Sequence, residues 1–255
     1  MLRVDLKTGR DVLSQATQEE VRDFDPQVVF HLAAHHYIPW TEEHPRETQI
    51  LNVEGTAMML EAMGPSLEAF VLASSAAVYG YDASPFQERH PLNGTSVYAN
   101  SKKDAEVELR NFAGHRVGVR CAAARLFNVV GVGDEWPHVL PEIVRHLQDE
   151  IVVGNTWPMR DYVHVRDAAD ALEFLAEKAP YRFSAWNVST GVGTTVTSLI
   201  RRVQDKAISA APVRVQPGRF HDGHLIGDPG LLRLIGWCPT RTVDDAIGDL
   251  LDADT

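Results

Sequence analysis

The stretch that decides the reading is Ala69-Phe70-Val71-Leu72-Ala73-Ser74-Ser75, followed at once by Ala76-Ala77-Val78-Tyr79-Gly80. An apolar run of this length, closed by two hydroxyls, suits a strand buried on both faces. Its end is the C-terminal edge, where open α/β sheets place their ligands. Upstream, Val28-Val29-Phe30-His31-Leu32-Ala33-Ala34 reads as another buried strand ending in small residues. Between the two, a helix is expected from His44 to Met63, with Ile50, Val53, Ala57 and Leu60 on one face. Downstream, a loop rich in Gly, Pro and Asp leads to a helix from Val97 to Phe112 and a strand from Val117 to Phe127. Short β-branched runs alternating with longer helical ones specify a parallel sheet covered by helices.

Beyond Gly131 the segments shorten and prolines recur at Pro137, Pro141, Pro158, Pro212, Pro217 and Pro229. The expected division is a first lobe of residues 1–130 together with 160–190, and a smaller lobe of 131–159 and 191–255. In that division the strand Asp161-Tyr162-Val163-His164-Val165 and the helix after it belong to the first lobe.

Composition narrows the function. The chain has 255 residues, 44% hydrophobic and 23% charged, which is ordinary for a globular protein. No apolar run approaches the ~20 residues of a membrane span, and the N-terminus has no apolar signal region. Two cysteines, Cys121 and Cys238, make neither a disulfide framework nor a four-cysteine zinc site. A net charge of -11 argues against a general nucleic-acid binder. A cytoplasmic enzyme is expected, in which a few local arginines hold any anionic ligand.

Tyr98-Ala99-Asn100-Ser101-Lys102 opens the expected helix after the serine strand. A spacing of four puts the phenol and the ammonium on one helix face. A cation beside a phenol favours the phenolate, which would make Tyr98 a general base. Alone, that spacing is an ordinary surface pair. Its place one loop after Ser74 and Ser75 points to a shared site. The small strand tip Ala33-Ala34, with Asn52-Val53-Glu54-Gly55-Thr56 one helix later, would let a flat ligand approach the backbone.

Ser75 through Gly80, Tyr98 with Lys102, Arg125-Leu126-Phe127-Asn128-Val129-Val130-Gly131 and Arg160-Asp161-Tyr162-Val163-His164-Val165 stand in one order along the chain. Together they resemble the extended short-chain dehydrogenase/reductase family, in particular its NAD-dependent nucleotide-sugar epimerases. The resemblance runs from Asp5 to Trp237. It implies an N-terminally truncated Rossmann-type, doubly wound parallel sheet with a smaller C-terminal substrate lobe. It implies NAD as cofactor, with Asp5 and Leu6 beside the adenine, Ala33, Ala34 and Asn52 lining the cleft, Phe127 near the nicotinamide, and Tyr98 and Lys102 at the ribose. Ser75, Asn128, His138, Val139, Arg160, Arg219 and Asp222 match positions that hold the nucleotide-diphosphate sugar. A guanidinium fork suits a diphosphate independently of any resemblance.

The implied reaction is epimerisation at C4 through a 4-keto sugar, with Tyr98, Lys102 and Ser75 as the catalytic residues. Family dehydratases carry an Asp-Glu pair just after the catalytic hydroxyl residue. Ala76 and Ala77 stand there, so dehydration is disfavoured. An NAD(P)H-dependent 4-keto-sugar reductase and a non-catalytic sugar-nucleotide-binding remnant are the alternatives. A homodimer through a bundle that includes the Tyr98 helix would fit the family.

The sequence departs from the family at its start. The glycine-rich turn that seats a dinucleotide pyrophosphate on a helix N-terminus is missing, as is the acid that reads the ribose, so NAD and NADP are not distinguished. The chain opens where the third strand would be, with roughly 50–60 residues of the usual unit absent. A gene start assigned too late or a natural truncation is favoured over an edge capped by a second subunit. The chain alone is expected to bind NAD poorly. Gly191-Val192-Gly193 is better read as a loop before the helix that Thr195 opens. The His31/His35/His36 and His221/His224 spacings are not read as metal sites, since the first straddles a strand end and the second falls among expected nucleotide contacts. A serine hydrolase has no Gly-x-Ser-x-Gly elbow here.

Overall fold

The computed structural model describes residues 1–81, 85–216 and 223–253. The chain runs α1 (Gln15–Phe24), β1 (Val28–His31), α2 (Ile38–Glu43), α3 (Pro45–Gln49), α4 (Gly55–Glu61), β2 (Ala69–Ser75), α5 (Val97–His115) and β3 (Arg120–Leu126). It continues with β4 (Asn128–Val130), α6 (Val139–Arg145), β5 (Ile151–Val153), β6 (Met159–His164), α7 (Val165–Lys178), β7 (Phe183–Val188), β8 (Gly193–Thr195), α8 (Val196–Ala207), β9 (Val213–Val215), α9 (Gly230–Leu234) and α10 (Val243–Ala253). None of its helices is long and apolar enough to cross a membrane, among the described residues.

Two compact units emerge. The first comprises Met1–Gly80, Pro91–Arg125 and Leu172–Trp186, the second Tyr81–His90, Leu126–Ala171 and Asn187–Thr255. A four-stranded sheet has the order β1-β2-β3-β7, and β1 pairs with β2 in parallel, from Val28↔Ala69 to His31↔Leu72. Phe70, Val71 and Leu72 of β2 are fully buried. Phe70 and Leu72 share a core with Leu60, Ala105, Leu109 and Cys121. β1 is the edge strand, and its Val28 and Phe30 are 43% and 41% exposed.

Several expectations for this unit are corrected in detail. The strand expected over 28–34 stops at His31, because the backbone of His35 turns away to bond both ends of the Asn52 amide. The single helix expected over 44–63 is interrupted by a π-helical turn, Ile50–Glu54, between α3 and α4. Widened turns of this kind gather at functional sites, and here the turn carries Asn52. Residues 1–5 form no strand. The Asp5 carbonyl takes the Thr8 and Arg10 amides, closing a single 3₁₀ turn over Leu6–Thr8. The strand expected from Val117 starts at Arg120, after a turn in which Gly118 has φ 86°.

The second unit holds a three-stranded sheet of order β4-β6-β8 and the pair β5-β9. β4 and β6 run parallel, with Asn128↔Tyr162 and Val130↔His164 in register. The strand at 161–164 therefore lies in this unit rather than in the first lobe, and α7 passes from one unit to the other at Leu172. Thr195 closes β8 and caps α8 by accepting from the Ser198 amide; of the loop expected over 191–193, Gly193 instead opens β8. The core of this unit is built from Leu140, Ile143, Ile151, Leu199, Val203 and Ile247.

Candidate active site

In the first unit, α5 brings the expected catalytic residues to one place. Ser96 caps the helix, accepting from the Ala99 amide at 3.0 Å, and this sets the first turn on which Tyr98 sits. The Ser75 hydroxyl caps the short 3₁₀ turn after β2 by accepting from the Ala77 amide at 3.2 Å. Gly94 lets the loop before α5 lie against that turn, since a Cβ there would come within 2.1 Å of the Ala77 carbonyl oxygen. Lys103 fastens the same loop by donating to the Gly94 carbonyl at 2.7 Å.

The electrostatics differ from those expected from spacing alone. Burial pushes the Tyr98 phenol above its ordinary value, and hydrogen bonding to Ser75 works in the other direction. The group that lowers the phenol's pKa is therefore the serine. Lys102 has its own handicap: burial brings its ammonium down to about 8, opposed by the Glu106 carboxylate. The lysine's charge is felt by His31, which burial and Lys102 together lower to about 3. The physical reason is desolvation, which penalises phenolate and ammonium alike.

Lys102 is 3% exposed, and its ammonium has no hydrogen-bond partner among the described residues. An ammonium carries three donors, and ligand hydroxyls would accept from them. On this observation the residues fit the ribose of a nicotinamide dinucleotide. They offer no glycine-rich turn for its pyrophosphate.

The other residues expected at the cofactor have local tasks. Asn52 is 1% exposed and donates both amide hydrogens, to the His35 carbonyl and to the Ser101 hydroxyl at 2.9 Å each. Its oxygen accepts from the His35 amide at 2.7 Å. Through these bonds Asn52 ties the backbone beyond β1 to α5. The Asp5 carboxylate takes Arg3 and the Lys7 amide, and Leu6 is exposed. Ala33 and Ala34 are half-buried beyond the tip of β1.

Spacing did not reveal the buried network beneath the site. Glu106, one turn beyond Lys102, receives both arms of the Arg125 guanidinium, at 3.0 and 2.7 Å, and the Ser74 hydroxyl at 2.6 Å. Arg125 also donates to the Tyr79 hydroxyl at 2.9 Å. The i+4 step from Lys102 to Glu106 was available as a signal, but its partner on β3 was not.

In the second unit, Arg160 is held by the Met159 and Gly223 carbonyls at 3.0 and 2.8 Å, with its guanidinium 4.8 Å from the centre of the Tyr81 ring. It makes no ion pair with Asp161. That carboxylate is buried and accepts from the Thr190 amide and hydroxyl and from the Gly191 and Gly227 amides. Burial lowers the Arg160 pKa, against the opposite pull of Tyr81 and Tyr162. Asn128 opens β4, and His138 precedes α6, whose first residue is Val139. His138 bonds the Asp134 carboxylate through Nδ1 at 2.7 Å. Phe127 is 3% exposed, with Gly227 against its ring. Arg219 and Asp222 lie outside the described residues, as does His221.

Comparison with known proteins adds to this geometry. The sequence profile of the NAD dependent epimerase/dehydratase family matches residues 7–189. The chain is 28% identical over 252 residues to the UDP-glucose 4-epimerase of Erwinia amylovora, covering 87% of this chain and 74% of that protein. Among solved structures, it is similar to RMD from Pseudomonas aeruginosa complexed with NADPH, with TM-score 0.86, 26% identity, and 95% and 86% of the two chains covered. It is also similar to the Thermus thermophilus UDP-glucose 4-epimerase complexed with NAD, with TM-score 0.85, 26% identity, and 95% and 82% covered.

Proposed function

From the premise that this chain belongs to the NAD dependent epimerase/dehydratase family, we propose that it is an NAD-dependent epimerase acting at C4 of a nucleotide-diphosphate sugar. The observation that carries the reading is the meeting of Ser75, at the end of β2, with Tyr98 and Lys102 on one face of α5, where the serine lowers the phenol's pKa and the lysine is 3% exposed.

NAD, when bound, supplies the group that accepts a hydride from the sugar carbon and returns it. The chain's own residues manage the proton. Tyr98, as phenolate, takes the proton of the C4 hydroxyl, while Ser75 holds the same oxygen. Lys102 binds ribose hydroxyls, and the Ser75 hydroxyl favours the phenolate against the burial that opposes it. The resulting 4-keto sugar, turned in its pocket, regains the proton from Tyr98. Ala76 and Ala77 offer neither an acid for a leaving hydroxyl nor a base for a C5 proton, which weighs against dehydration.

Substrate binding is assigned to Arg160, Asn128, His138 and Val139, and to Arg219 and Asp222 on the segment outside the described residues. Phe127 is assigned to the nicotinamide side. Asn52 supports the cleft, and Asp5, Leu6, Ala33 and Ala34 remain the proposed adenine-side and cleft-lining residues. A cytoplasmic setting suits two free cysteines, Cys121 and Cys238. A homodimer through the α5 helices is part of the proposal, to be read by sedimentation velocity. The likeness to an NADPH-bound structure favours one second reading, a 4-keto-sugar reductase using the same phenol as proton donor.

The deciding experiment incubates the protein with UDP-sugars and GDP-sugars plus NAD and follows epimer formation. Tyr98→Phe should lower turnover by a factor of ~10²–10⁴, the usual worth of a positioned acid or base, with folding unchanged. Steady consumption of NADPH on a 4-keto sugar, with no epimer formed, would select the reductase instead.

A further inference from the structure

We propose that Glu106, clamped by Arg125 and Ser74, is a positioning residue of the Ser75–Tyr98–Lys102 site: it holds the Lys102 ammonium charged and ties the serine end of β2 to the helix bearing Tyr98. The proposal deepens the reading above and rests on it.

The geometry is specific. Residues 98, 102 and 106 follow one another at intervals of four on α5, which places them on one face. Ser74 and Ser75 are adjacent at the end of β2, and each serves a different member of that face: Ser74 donates to Glu106 at 2.6 Å, and Ser75 lowers the pKa of Tyr98. Glu106 and Arg125 are 1% and 3% exposed, so neither side chain draws on water. Burial works against the Arg125 charge, but Glu106 and Tyr79 outweigh it and the guanidinium stays protonated.

A buried ion pair is a poor device for stability alone, since well-packed apolar residues of similar volume do as well. Its place beside Lys102 gives it another use. Glu106 is the one buried carboxylate among the described residues of the first unit. His31 on β1 is held neutral, Glu42 on α2 accepts from the exposed Val97 amide, and Asp104 faces Gln49 of α3 at the surface. Arg125, on β3, brings a second positive charge to the same carboxylate, and Glu106 neutralises it through two hydrogen bonds. With Glu106 neutral, two cations would share one dry region, and Lys102 is the one able to shed its proton.

The test reads Lys102 directly in the folded, ligand-free protein. The lysine side-chain NMR signal is assigned by its loss in Lys102→Arg and titrated in wild type, Glu106→Gln and the double variant Glu106→Gln/Arg125→Met. The midpoint, about 8 in wild type, should fall by about one unit or more in Glu106→Gln, a tenfold loss of the charged form. It should lie between these values in the double variant, which has no unopposed guanidinium and remains informative if the single variant does not fold. The alkaline limb of turnover should move by the same amount, with Glu106→Asp recovering part of it. A midpoint unmoved in whichever of the two variants folds would overturn the proposal. If the midpoint moves but no sugar is epimerised by wild type, the assigned reaction fails and the Glu106–Lys102 coupling stands. If epimerisation occurs and the midpoint stays, only the coupling fails.

Discussion

His31 illustrates how much one buried side chain can be made to say. Thr56 has a single hydroxyl hydrogen, and it goes to the Asn52 carbonyl at 2.7 Å. The His31 Nε2 that lies 3.0 Å from the same oxygen must therefore be the donor, which assigns the tautomer. Protonating the second nitrogen would put a charge in the core beside Lys102, and burial with that cation lowers the histidine to about 3. The unfolded chain titrates it near 6.5, so the unfolded state binds more protons in between. The resulting stability is fully present above pH ~6.5 and is lost as pH falls toward ~3. In His31→Gln, the dependence of unfolding free energy on pH between pH 6 and 4 should be shallower by up to ~1.4 kcal/mol per pH unit, the weight of one proton. Denaturant melts across that window check it; parallel slopes for the two proteins would remove His31 as the titrating group.

At the scale of elements, the catalytic geometry depends on how three short pieces close around each other. β2 ends in Ser75, the 3₁₀ turn Ala76–Tyr79 follows, and the loop through Gly94 returns to start α5. Gly80 makes the exit from that turn with φ 80°, a conformation that suits glycine. Gly94 matters for a different reason, the approach of two backbones. Gly94→Ala should force them apart and cost ~1–3 kcal/mol, as overpacking does, while lowering turnover because Ser75 and Tyr98 lie on either side of the displaced contact. Unfolding curves and kcat measured on the same preparation test both halves of that statement. The π-helical turn at Ile50–Glu54 belongs to this scale too. Periodicity predicted one continuous helix there, since apolar spacing reports which face is buried and is blind to a widened turn. The Asn52 bridge to His35 and Ser101 became visible only when the strand tip and two helices were in place.

The whole molecule consists of two units with separate cores, and the expected site residues divide between them: Ser75, Tyr98, Lys102 and Asn52 in the first, and Phe127, Asn128, His138, Val139 and Arg160 in the second. Asp161 anchors the second unit by gathering three backbone amides and one hydroxyl around a buried carboxylate. Burial raises its pKa, against the pull of the Thr190, Gly191 and Gly227 bonds. Asp161→Ala would strand those donors, at ~1–3 kcal/mol for each one left unsatisfied. Hydrogen exchange in β6 and β8 should speed up markedly in this variant, and unchanged protection there would mean the cluster contributes nothing.

Local sequence was enough to specify the alternation of strands and helices, the end of β2 at Ser75 and the start of the Tyr98 helix. These depend on short-range signals: an unbroken apolar run closed by two hydroxyls, helical periodicity, and a phenol and ammonium four residues apart. The rest came from the folded chain. Folding put the 161–164 strand beside β4, turned the Asp161 carboxylate away from Arg160, reversed the expected direction of the Tyr98 shift, and paired Glu106 with an arginine 19 residues away. Desolvation and long-range pairing depend on what surrounds a group once the chain has closed on itself, and linear spacing carries no measure of either.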